Sequence, residues 1–104
     1  MSNPIRIIRL DCWHANWLIY QADGETDDGR VVFVHFRGGR FNVWVGDGPI
    51  DDRSSNGEWI IEAESHPEGR PDTITRATLA AWTIGRIEWP DKIDGYHNEP
   101  NEGP

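Results

Sequence analysis

The chain has 104 residues and a mass of 11.9 kDa, which is room for one domain with a modest core. Its formal charge of -8 opposes nonspecific binding to nucleic-acid phosphates and adhesion to anionic membranes. No apolar run approaches the roughly 18 residues of a membrane-spanning helix, Met1-Ser2-Asn3-Pro4 carries no leader pattern, and the single cysteine, Cys12, excludes an intrachain disulfide and a multi-thiolate zinc site. A cytoplasmic location is expected.

The charge is unevenly placed. Residues 1–46 carry five acidic and five basic groups, so the whole excess lies in 47–104, with 13 acidic against five basic. Nine of the basic residues are arginine and one is Lys92. Arginine presents a planar fork suited to carboxylates, phosphates and aromatic faces.

In chain order, Ile5–Leu10 is short and β-branched and predicts a strand. Asp11–Asn16 interrupts it, and Trp17–Ala22 predicts a second strand. Asp23–Gly29, with its Asp-Gly pair and its Asp-Asp-Gly, is expected to be a loop. Residues 30–36 and 40–45 then flank Gly38-Gly39, which can take the positive φ angles of a two-residue hairpin turn. That turn sets Arg37 opposite Arg40, Phe36 opposite Phe41, His35 opposite Asn42, Val34 opposite Val43, Phe33 opposite Trp44 and Val32 opposite Val45.

Strand alternation sorts this hairpin into two faces. Val32, Val34, Phe36, Phe41, Val43 and Val45 form an apolar core face. Phe33, His35, Arg37, Arg40, Asn42 and Trp44 form the other. An acidic connection follows, then a strand over 58–64 with Trp59, Ile61 and Ala63 inward and Glu58, Glu62 and Glu64 in water. A helix over 73–84, capped by Asp72 or Thr73, would bury the stripe Ile74, Ala77, Ala81 and Ile84 and stop at Gly85. Residues 1–90 thus read as one α+β domain and 91–104 as a polar, flexible tail. The expected fold is a mostly antiparallel sheet of about five strands with one helix packed on a face. A small β-barrel with a short helix is the alternative, since it would not leave Phe33 and Trp44 outside.

Catalytic and metal patterns are sparse. Cys12 and His14 could supply two soft ligands, but His35, His66 and His97 sit in unrelated segments, so no metal site is expected. The acidic 23–28 segment lacks the ligand order of a calcium loop. Arg37-Gly38-Gly39-Arg40 is a turn rather than a phosphate cradle. Neither a cofactor nor an enzymatic activity is expected; a small thiol-dependent enzyme using Cys12 with a histidine is one alternative. A second is single-stranded nucleic-acid binding, in which Phe33 and Trp44 stack bases beside Arg37 and Arg40.

Protein recognition fits the composition better. Six tryptophans exceed what a small core encloses, and Trp and Arg concentrate at interface hot spots. The expected surface is Phe33, His35, Arg37, Arg40, Asn42 and Trp44, with Asp47, Asp51, Asp52, Glu58, Glu62 and Glu64 as an acidic surface alongside. The partner would be a protein with a basic surface, such as a nucleic-acid-handling enzyme, and the role that of an inhibitor or immunity-type protein. A homodimer would use the same features.

Overall fold

The computed structural model describes residues 3–95. Among them lie seven strands and one α-helix: β1 (Ile5–Ala15), β2 (Ile19–Thr26), β3 (Val31–Arg37), β4 (Arg40–Gly46), β5 (Gly57–Ser65), α1 (Arg76–Trp82), β6 (Ile87–Glu88) and β7 (Asp94–Gly95). The first five form an antiparallel meander. The sheet order is β5-β4-β3-β2-β1-β6, and β6 and β7 both run parallel to β1. The sheet is open, so the barrel alternative does not hold, and two short strands at the β1 edge account for the excess over about five.

The β3–β4 hairpin has the expected register throughout, from Val32 opposite Val45 to Arg37 opposite Arg40. Gly38 and Gly39 sit at φ 60° and 77°, the left-handed pair that a type I′ turn requires. All six apolar-face residues are buried.

Strand β1 is longer than expected because two bulges lie inside it, at Ile8 and Trp13. An inserted residue resets the alternation. Ile7 and Leu10 therefore both face the core although they are three apart, and Ile8 and Trp13 are left 53% and 49% exposed. Strand β2 also runs past its expected end, because Asp23-Gly24 is mid-strand and not a turn. Gly24 lies opposite Leu10 and Val32, and a Cβ there would sit 2.2 Å from the Arg9 carbonyl oxygen. Close backbone approach, not chain reversal, explains that glycine. Reversal comes at 27–30, where the buried Thr26 hydroxyl accepts from the Arg30 amide at 2.9 Å.

Bulges also overturn the expected alternation of β5. Ile60 and a residue near Ala63 are extra relative to β4, Ala63 takes φ 52°, and the Asn42 side-chain oxygen accepts from its amide at 2.7 Å. Ile61 stays in the core opposite Val43, but Trp59 pairs with Trp44 on the other face and Ala63 is exposed. Glu58 and Glu64 lie opposite Val45 and Phe41, on the core side of the strand's edge, so the three glutamates do not form one outer row.

The helical segment is shorter than expected. A 3-10 turn at Pro71–Thr73 precedes α1, which Thr75 caps through a reciprocal pair with Thr78. The inward residues are Ile74, Leu79, Trp82 and Thr83; Ala77 and Ala81 are exposed, and Ile84 is 81% exposed. A two-turn helix docks through whichever side chains are large enough to reach the sheet, so Leu79 and Trp82 displace the alanines of the expected stripe. Trp82 packs against Phe36 and Phe41 with ring centroids 5.1 and 5.2 Å away. Thr83 accepts from the Trp89 indole at 2.7 Å and donates to the Leu79 carbonyl at 2.7 Å, holding the segment after α1 under the sheet. The helix ends at Trp82 with Thr83 as its C-cap, short of the expected stop at Gly85, which sits at φ 81° in the turn before β6. Ile93 is buried and β7 pairs with β1, so the folded part extends through Gly95; residues 96–104 of the expected tail lie outside the described residues.

Candidate functional site

Among the described residues, α1 and the 86–93 segment cover one face of the sheet, and the 47–56 loop lies against the other. That outer face is ordered by strand register into rows. At one end stand Ile19, Arg37 and Arg40, and Trp17 and Leu18 of the β1–β2 turn lie at the same end of the sheet. Trp17 is 72% exposed, and the Asn16 side chain braces its turn by accepting from the amides of Leu18 and Ile19. The next row is His14, Gln21, His35 and Asn42. Then come Asp11, Asp23, Phe33, Trp44 and Trp59. Arg9, Glu25 and Val31 follow.

The six hairpin residues singled out from the sequence do share this face, in unequal states. Arg37 and Arg40 are exposed, and Phe33, His35 and Asn42 are half-buried. His35 stacks on Phe33 with centroids 6.0 Å apart, and burial together with the Arg37 charge lowers its pKa, so its ring is neutral at neutral pH. Trp44 is buried at 7% exposure. Its ring lies against Gly46 and Gly57, where an added Cβ would meet ring atoms at 2.3 and 2.2 Å. Trp44 is thus part of the packing beneath the strand ends that flank the loop, and its cross-strand neighbour Trp59, 39% exposed, carries the aromatic surface instead.

The acidic residues separate by role. Asp47 accepts from the Asn56 amide at 2.6 Å, and Asp52 accepts from the Ser54 amide and hydroxyl at 2.9 and 2.8 Å; both carboxylates tie the 47–56 loop to itself. Glu58 and Glu62 are exposed. Glu64 lies with the helical layer: Arg86 grips it with two bonds of 2.8 and 3.0 Å, and the His66 ring is 2.8 Å from it. The Arg86 bonds, with help from His66, lower the Glu64 pKa to about 2. His66 also stacks on Trp82, centroids 4.2 Å apart, so this cluster braces β5 to α1.

Asp51 behaves differently. With Pro49 and Ile50 it lines a cleft of about 420 Å³ on the outer face, whose other walls include Arg9, Trp13, Gln21, Asp23, Glu25 and Phe33. The sequence pointed to Phe33 and Asp51 separately. It offered Trp13 only as one of six tryptophans too many for the core, without the second β1 bulge that turns it out of strand alternation, and gave no sign of Asp23, whose Asp-Gly pair reads as a turn. Burial raises the Asp23 pKa, opposed by a hydrogen bond from Trp13; the Asp51 and Asp11 charges add to the rise and Arg9 counters it.

Cys12 is buried on the core side. Its thiol donates to the His14 carbonyl at 3.6 Å, and burial pushes its pKa up, the opposite of what an attacking thiolate needs. The His14 ring is 3.2 Å from the Asn16 side-chain amide. Among the described residues no three His, Cys, Asp or Glu side chains gather as a metal ion's ligands would, and no helix is long and apolar enough to cross a membrane. Comparison with protein-family models, curated proteins and solved structures finds no match, so the site is read from its own chemistry.

Proposed function

We propose that this chain is a small acidic protein-binding module that occupies a basic surface of a partner protein, in the manner of an inhibitor or immunity protein, through the outer face of its sheet. One observation carries the reading: the face left open by the helical layer sets Trp13, Phe33 and Trp59 among the carboxylates of Asp11, Asp23, Glu25 and Asp51. Aromatic side chains give desolvated anchors, and carboxylates steer and orient a positively charged partner. Arg37 and Arg40 at the hairpin tip add hydrogen-bond donors at the rim.

The same face weakens the case for single-stranded nucleic acid. Bases could stack on Phe33 and Trp59, but Asp23 and Asp11 continue the row in which those rings lie and would meet the phosphates.

The test is affinity capture from native host extract with the wild-type chain and with Trp59→Ala and Arg40→Ala, alongside mass measurement in solution. The expected result is one captured protein of basic surface, released by raised salt and lost with Trp59→Ala while the variant remains folded. Binding of single-stranded nucleic acid at physiological salt with no protein captured would overturn the reading. A stable homodimer that buries Trp59 would replace the foreign partner with a second copy.

A further inference from the structure

The outer-face cleft has a chemistry more specific than that of the surface around it. Its apolar walls are Trp13, Phe33 and Ile50, and its carboxylates are Asp23, Glu25 and Asp51. Arg9 is the cation at its rim, and that arginine is already committed: its guanidinium bonds to Asp11 and lies 3.5 Å from Glu25. Among the described residues no ion pair reaches Asp23 or Asp51. Asp23 shares the cleft wall with Trp13. Strand pairing places Asp11 directly beside it, and like charges on neighbouring strands destabilise each other.

An incoming positive charge would relieve that repulsion. The carboxylates are not gathered for a metal ion, which needs several oxygens converging on one point. A flat, delocalised cation suits the walls better. A guanidinium stacks on an aromatic ring and at the same time offers in-plane donors to carboxylates, which a compact ammonium cannot do. At about 420 Å³ the cleft lies in the ordinary range for ligand sites and takes an arginine side chain with space for adjoining backbone.

We propose that this cleft receives an arginine side chain projected by the partner protein, its guanidinium seated against Trp13 and Phe33 with Asp23 and Asp51 as the carboxylate acceptors. The proposal rests on the protein-binding reading above and names the anchor that reading lacks.

The experiment is an NMR titration of the isotopically labelled chain with acetyl-Gly-Arg-Gly-amide, and in parallel with the same tripeptide carrying citrulline, which keeps the shape but loses the charge. The expected result is saturable movement of the Trp13 indole N–H and of the Asp23 and Phe33 amides with the arginine peptide alone. Asp23→Asn should weaken binding by about tenfold, the usual worth of one charge-assisted bond. Trp13→Ala should weaken it as well, and Glu88→Gln, in β6 and outside the lining of the cleft, should leave it unchanged. Acidification should abolish the movement as Asp23 protonates. Equal binding of the citrulline peptide, insensitivity to Asp23→Asn, or movement confined to Trp17 and Leu18 would overturn the proposal. Capture of a basic protein that survives Asp23→Asn would sink the cleft and leave the protein-binding reading standing. Arginine-peptide binding without any captured protein would do the reverse.

Discussion

Replacing Glu64 by Gln should reveal how much the brace between β5 and the segment after α1 contributes. The Glu64 pKa falls from an ordinary 4.5 to about 2, chiefly through the two Arg86 bonds. At about 1.4 kcal/mol per pKa unit, that difference sets a ceiling of about 3.5 kcal/mol on what the charged form gains in the fold. The Glu64 and Arg86 side chains are 32% and 41% exposed, so water screens the pair and about 1 kcal/mol is the expected loss at neutral pH. With a urea slope of about 1 to 3 kcal/mol per molar, the unfolding midpoint should drop by roughly 0.3 to 1 M.

The pH dependence separates this explanation from a simple packing defect. A carboxylate with a depressed folded pKa contributes its full stability above the unfolded value, and that stability is lost as pH falls through the folded value. The gap between wild type and Glu64→Gln should therefore hold steady above pH 4.5, narrow on acidification, and be largely gone near pH 2. Urea unfolding of both proteins across that range, followed by tryptophan fluorescence, is the assay. A gap of the same size near pH 2 as at neutrality would refute the electrostatic account, and the absence of any gap at neutrality would show that the pair contributes nothing.

Three further outcomes follow from the packing. Val34→Ala removes two methyl groups from a fully buried site between Ala22 and Val43 and should cost about 1 to 3 kcal/mol in urea unfolding; a loss below about 0.5 would contradict the face assignment. Thr83→Val strands the buried Trp89 indole N–H and should cost about 1 to 3 kcal/mol by the same measurement, a neutral result meaning that the indole finds another acceptor. The Cys12 thiol, its pKa raised by burial, should alkylate slowly in the native state and at a rate that follows unfolding; an apparent thiol pKa below about 7 would restore the thiol-enzyme alternative.

The site was legible only in part. Phe33, His35, Asn42 and the two tip arginines could be assigned to one face because hairpin register follows from a two-residue turn. Trp44 could be placed on that face, but not judged exposed or covered. Its burial depends on Gly46 and Gly57, which leave room for its ring, and on the loop between them. The partition of the acidic residues was equally hidden, because what separates Asp51 from Asp52 is a hydrogen bond to Ser54 on one and a cleft beside the other.

Local sequence alone determined the β3–β4 hairpin, its register and its core face, because turn geometry and strand alternation act over a few residues. The tertiary structure decided what depends on bulges and on competition for the core. Ile8, Trp13 and Ile60 are each an added residue in a strand, and one added residue inverts every side chain beyond it. No spacing rule reveals them in advance, because a bulge exists only relative to the neighbouring strand. The helix turned on the same kind of contest: Leu79 and Trp82 reach farther into the core than Ala77 and Ala81, and only the distance from α1 to the sheet settles which of them it needs.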